Sequence, residues 1–83
     1  MHKILLLPSA KKDLDKLTGK TFNGIKKKIL ALGNSPRPAG CLKLTGDEGY
    51  RLRSGDYRIL YRIDDREKQI FIYKIKHRRE SYR

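Results

Sequence analysis

Arg51, Arg53 and Arg58, together with the closing segment "HRRESYR" from His77 to Arg83, are the side chains of this sequence best suited to phosphate chemistry. Guanidinium groups stay charged and make bidentate contacts to phosphate oxygens. Cleavage of RNA by attack of a 2′-hydroxyl on its neighbouring phosphate has three requirements. They are a proton acceptor for the 2′-OH, cationic stabilisation of the phosphorane-like transition state, and a donor for the departing 5′-oxygen. Arginines meet the second. A histidine titrates near pH ~6.5, so His77 can serve as acid or base. Tyr82 can do the same if surrounding arginines favour its phenolate. No metal ion or other cofactor is required.

These groups cooperate only if the chain brings them to one surface. "HKILLLP" is apolar and stopped by Pro8, which predicts a short strand. Ser9 is placed to cap a helix that carries Ala10, Leu14 and Leu17 on one face. "TGKT" at 18–21 breaks it, and a second helix aligns Phe22, Ile25, Ile29 and Leu32. Gly24 weakens that helix by about 1 kcal/mol against alanine, and Gly33, Asn34 and Pro36 end it. Residues 36–49 read as a loop with a short apolar patch at Leu42 and Leu44.

The period then changes to two. Tyr50 and Leu52 alternate with Arg51 and Arg53, "SGD" turns the chain, and Tyr57, Ile59, Tyr61 and Ile63 alternate with Arg58, Leu60 and Arg62. "DDREK" makes another turn before the last strand, "QIFIYKIKH". The predicted fold class is α+β: an N-terminal strand, then a two-helix hairpin packed on one face of a small antiparallel sheet ending in a three-stranded meander. Strand alternation assigns Tyr57, Ile59, Tyr61 and Ile63 to the helix-covered face and Arg51, Arg53, Arg58 and Arg62 to the open one. If the last strand pairs beside them, His77 and Arg78 reach the same edge. Like charges on neighbouring strands are mildly destabilising, so a cluster of this kind is better explained by an anion than by solvation alone.

Length and composition agree with that picture. A chain of 83 residues supports one modest core, here assigned as a single domain over 1–83. Twenty-one basic residues against nine acidic ones give a formal net charge of +12, which favours a polyanionic partner. No apolar run approaches a membrane span or a signal peptide, and one cysteine, Cys41, excludes an internal disulfide framework, so the expected location is cytoplasmic. "GKT" at Gly19–Thr21 is not a phosphate-binding loop, because Leu14 stands where the motif needs glycine and the triplet lies between helices. His2, Cys41 and His77 lack metal-ligand spacing. Lys26, Lys27 and Lys28 read first as the solvated flank of a helix and second as a patch that can touch RNA phosphates. Lys74, Lys76, Arg79 and Arg83, with Arg62, extend the basic surface available to RNA or a ribosome. The tyrosines of the meander share parity with its apolar residues, so core packing with hydroxyls at the rim is preferred to base stacking.

"YRLRSGDYRILYRIDD", followed by a hydrophobic strand and "HRRESYR", resembles the RelE toxins of toxin–antitoxin pairs, within the RelE/ParE superfamily. The likeness spans nearly the whole chain and is most specific in "YRLRSGDYR" and the terminal "HRRESYR". It implies the toxin of a type II system: a metal-independent endoribonuclease (mRNA interferase) that enters the ribosomal A site and cuts mRNA there. The products would be a 2′,3′-cyclic phosphate and a 5′-hydroxyl. Arg51 and Arg53 would correspond to paired basic residues, which are lysines in the best-known member. Arg58 would contact the scissile phosphate, Arg78 would protonate or stabilise the leaving oxygen, and Tyr82 would activate the 2′-OH. His77 competes with Arg78 for the acid role; Glu48 and Glu80 lack the position of a carboxylate base. The resemblance also implies a RelB-like antitoxin as partner in a heteromeric complex, beside ribosomal RNA and mRNA. Two rivals are a ParE-like toxin that inhibits DNA gyrase by protein contact, and a non-catalytic RNA-binding module.

Overall fold

The computed structural model describes residues 1–45 and 49–79. Pro8 starts the first helix. Its fixed φ and missing N–H suit the first helical position, so α1 runs Pro8–Asp15 with extended Leu7 as the N-cap residue. Ser9 therefore lies inside the helix and caps nothing; its Oγ lies 3.4 Å from Lys74 Nζ, which donates to it. β1 (Lys3–Leu6) precedes α1, and α2 (Gly19–Ala31) follows it. The remaining strands are β2 (Leu42–Lys43), β3 (Tyr50–Ser54), β4 (Tyr57–Asp64) and β5 (Gln69–His77).

The five strands form one sheet in the order β1-β5-β4-β3-β2. The meander β3-β4-β5 is antiparallel, as its turns require. The sheet as a whole is mixed, because β1 lies parallel to β5, with Lys3 opposite Gln69 and Leu6 opposite Ile72. Two helices stand between β1 and the meander, long enough a connection for a parallel neighbour. The expected loop 36–49 also contains β2, which pairs Leu42 with Arg51 and Lys43 with Tyr50.

One core fills the space between helices and sheet. Ala10, Ile25, Ile29 and Leu32 from the helices meet Leu52, Ile59, Tyr61, Ile70, Ile72 and Ile75 from the strands. Leu14, Leu17, Tyr57 and Ile63 pack against it half-buried, as the two periodicities predicted. Tyr61 is fully buried, and its hydroxyl donates to the Pro36 carbonyl at 2.9 Å. Burial, then the neighbouring Cys41, pushes the Tyr61 phenol far above its ordinary range, so it stays neutral. Tyr50 stacks on Tyr61 with ring centroids 5.8 Å apart. These two tyrosines are packing elements rather than open stacking platforms.

β5 carries one residue more than its partner. Leu60 faces Lys74 while Tyr61 faces Ile72, leaving Tyr73 as a bulge residue. An extra residue inverts the alternation beyond it. Ile72 and Ile75, three apart, thus both enter the core, and Lys76 joins the open face.

Two carboxylates secure the margins of the sheet. β1 ends at Leu6, and beyond it Asp13 of α1 accepts from the Ile75 backbone N–H at 3.0 Å and from Lys74 Nζ at 3.2 Å. At the opposite end Asp65 accepts from Arg37 Nη2 at 2.9 Å and lies 3.2 Å from His2 Nε2, tying the 35–41 loop and the N-terminus to the β4–β5 turn. Arg37 also donates from Nε to the Tyr50 hydroxyl at 3.0 Å.

Asp13→Ala leaves the Ile75 N–H without its acceptor and should cost about 1–3 kcal/mol. Lys74→Met removes a partly exposed ion pair and a long hydrogen bond to Ser9 and should cost less than about 1 kcal/mol; urea denaturation midpoints of the two variants check that order. The hydrogen bonds from Arg37, and then the contact with His2, hold the Asp65 carboxyl below its ordinary value of 3.8. This contribution to stability is complete above the unfolded value and is lost as pH falls through the lower folded one. Asp65→Asn should therefore lower stability most at neutral pH and flatten the fall below about pH 4, where variant and wild type converge, as read from thermal melts across pH.

Candidate anion-binding site

The β3–β4 turn builds one end of the open face. Ser54 pairs with Tyr57, so Gly55 and Asp56 alone make the turn, with Gly55 at φ 59°. A two-residue hairpin turn with positive φ at its first position favours glycine there. The tight turn fixes Arg53 directly opposite Arg58, and β5 places Lys76 opposite Arg58 on its other side. Arg53, Arg58 and Lys76 thus form a row of three cations across adjacent strands. Beyond β5, the Arg78 backbone N–H donates to the Asp56 carbonyl at 2.6 Å, continuing the pairing one step past Tyr57 and His77. Arg53, Arg58 and Arg78 then line one cavity of about 350 Å³ with Gly55, Asp56 and Tyr57.

Among the described residues, none of Arg51, Arg53, Arg58 and Arg78 has a carboxylate within ion-pairing distance. The ion pairs that exist engage Asp13 and Asp65 instead. Three guanidinium groups around one cavity suit an anion with several oxygens, and a phosphodiester has that geometry. The described residues include no group of three His, Cys, Asp or Glu side chains that could hold a metal ion.

The other expected residues are distributed unevenly. Arg51 stands opposite Leu60, one step inside the Arg53–Arg58 row, and lines a groove of about 640 Å³ along β3 with Lys28 and Arg53. Lys28 Nζ donates to the Arg53 carbonyl at 3.1 Å, covering a strand edge that β2 is too short to pair. Lys26 lies over the Phe22 ring at 5.9 Å and Lys27 is exposed. Arg62 lies over Phe71 at 5.4 Å, toward the β4–β5 turn and away from the cavity. Lys74 is taken up by Asp13 and so does not join the cationic row.

His77 reaches the correct end of the sheet on the other face. The bulge inverts its alternation, so it pairs with Tyr57 and packs edge-to-face against that ring at 4.9 Å. It lines a second cavity, of about 590 Å³, with Asp56, Arg78 and Arg79, two of which border the arginine cavity as well. Tyr82 and Arg83, like Glu48 and Glu80, lie outside the described residues. Asp56 and Tyr57 were not singled out from sequence; "SGDY" signals a turn, but only the Arg78 segment shows that the turn is a wall of the site.

A two-helix layer on an open, mixed five-stranded sheet is the architecture of a class of solved toxins. The RelBE2 toxin–antitoxin complex of Mycobacterium tuberculosis matches with TM-score 0.82 and 26% identity over 93% of this chain and 98% of that one. The archaeal RelE–RelB complex of Pyrococcus horikoshii matches at 0.79 and 29%, over 93% and 94%. The intact RelBE complex of Escherichia coli matches at 0.78 and 28%, over 93% and 96%. No curated protein matches significantly. The model of the ParE toxin of type II toxin–antitoxin systems matches residues 4–82, so the chain belongs to that family, within the RelE/ParE superfamily.

Opposed like charges predict a trade-off. Arg53→Ala and Arg58→Ala should each leave the urea midpoint unchanged or raise it by a few tenths of a kcal/mol. Each should also weaken binding to single-stranded RNA and reduce the salt dependence of log K by about 0.7. Fluorescence titrations at several sodium chloride concentrations measure both effects on binding; an unchanged slope would place these arginines outside the nucleic-acid contact.

Proposed function

We propose that this toxin is a ribosome-dependent endoribonuclease that cuts mRNA in the A site by 2′-OH attack. The observation that carries the proposal is the convergence of Arg53, Arg58 and Arg78 on one cavity without a carboxylate ion pair. In the reaction the 2′-oxygen forms a bond to phosphorus, its proton passes to a base, and the bond from phosphorus to the 5′-oxygen breaks as that oxygen takes a proton from solvent water. The products are a 2′,3′-cyclic phosphate and a 5′-hydroxyl. Arg58 faces the scissile phosphate from the centre of the row; Arg53 and Arg78 flank it and share the charge of the transition state. Arg51 and Lys76 extend the basic surface, and Arg62, Arg79 and the lysines of α2 add diffuse attraction to ribosomal RNA. Tyr82 is assigned the base by its resemblance to the RelE pattern.

The solved relatives are RelE–RelB complexes, which supports a RelB-like antitoxin as this chain's own partner. An acidic antitoxin would complement the +12 charge. Translation places the target in the cytoplasm, and no helix among the described residues is long and apolar enough to cross a membrane.

Purified protein added to programmed ribosomes should produce mRNA ends within the A-site codon. Arg58→Ala should slow that cleavage by about 10²-fold or more while weakening ribosome binding less. Intact message beside a cutting control interferase would sink the proposal. The ParE name of the matching family model favours a second reading, inhibition of DNA gyrase. Loss of supercoiling activity in a gyrase assay, with message uncut, would support it.

A further inference from the structure

The His77 ring is held on two sides. Its Nδ1 lies 3.1 Å from the backbone nitrogen of Arg79, whose N–H donates to it. A backbone N–H has no lone pair to offer, so this contact requires an unprotonated Nδ1. The neutral imidazole then carries its hydrogen on Nε2. Tyr57, directly across the strand pair, meets the ring edge-to-face at an interplanar angle of 85°. Between these contacts, the bond from Arg78 N–H to the Asp56 carbonyl fixes the backbone that carries both partners.

This arrangement bears on chemistry. A general base must present a bare nitrogen to the 2′-OH; here one nitrogen is occupied and the other already bears hydrogen. A general acid must be imidazolium, and an imidazolium Nδ1–H would point at the Arg79 N–H and replace an attraction with a repulsion. The charged groups that share its cavity are Asp56, Arg78 and Arg79, and Tyr57 offers a neutral ring. What remains available is the Nε2–H as a donor in a cavity that shares Asp56 and Arg78 with the arginine cavity.

We propose that His77 is a neutral Nε2–H hydrogen-bond donor to an oxygen of the phosphodiester held by Arg78, and does not carry a proton in the reaction. Tyr57 is its positioning residue. The proposal rests on the RNA-cleavage reading for its substrate, but the state of the ring and its contact with phosphate are measurable without cleavage.

Long-range proton–nitrogen correlation spectra of the full chain, labelled at histidine and assigned with His77→Gln, should show the Nε2–H pattern for His77 at neutral pH. Titration with inorganic phosphate should shift the Nε2 resonance to saturation in the wild type and not in Arg78→Ala. On programmed ribosomes, His77→Gln offers an amide N–H without an ionisable ring and should keep the cleavage rate within about threefold; His77→Ala should lose more than about tenfold. An Nδ1–H tautomer, an imidazolium at neutral pH, a resonance indifferent to phosphate, or equal losses in the glutamine and alanine variants would each overturn the proposal. If the wild type leaves message intact, the A-site reading fails alone, and the spectra still decide whether His77 donates to phosphate.

Discussion

The pairing of β4 with β5, with one extra residue in β5 at Tyr73, is the constraint on which the rest of the molecule depends. On one side of the bulge Ile70 and Ile72 meet Ile63 and Tyr61; on the other, Ile75 meets Ile59. A strand of uniform alternation would send Ile75 outward and leave the core short of an isoleucine. It would also turn Lys76 inward, an uncompensated charge in a layer where no charged or polar residue is buried among those described. The bulge resolves both conflicts together, and in doing so completes the Arg53–Arg58–Lys76 row and turns His77 against Tyr57. Core packing and site geometry are thus set by one irregularity of the ladder.

The disposition of the acidic residues follows a related logic. A chain with nine carboxylates among twenty-one cations can neutralise few of its basic groups. Asp13 closes the edge of β5 where β1 ends, Asp65 binds Arg37 and His2 at the far end, and Asp64 accepts the Glu67 N–H within the β4–β5 turn. These uses are structural. They leave the guanidinium groups at the β3–β4 turn unpaired among the described residues, so attraction to an anion is not spent on internal ion pairs. Repulsion within the row is tolerated because the side chains stand in solvent, where unit charges a few ångströms apart interact by only about 1 kcal/mol.

Much of this was legible in the sequence because it rests on local rules. Period-two alternation placed Ile59 and Tyr61 in the core, helical spacing did the same for Ile25 and Ile29, and "SGD" marked the turn that opposes Arg53 to Arg58. Parity alone put the arginines of β3 and β4 on the open face. The cap was misplaced by one element of local chemistry: proline at the first helical position outranks a serine beside it. The parallel addition of β1 left no signal because its partner β5 lies at the far end of the chain, and β2 left none because it is only two residues long.

The sequence by itself determined the element types, the cationic face and the excess of charge that makes an anion the natural partner, because each follows from side-chain chemistry and from periods of two or 3.6 residues. Only the tertiary structure decided which cations converge. It removed Lys74 to Asp13, set Arg62 apart over Phe71 and turned His77 against Tyr57. These outcomes depend on an extra residue in a strand ladder and on hydrogen bonds that strand alternation does not specify. No pattern along the chain encodes them.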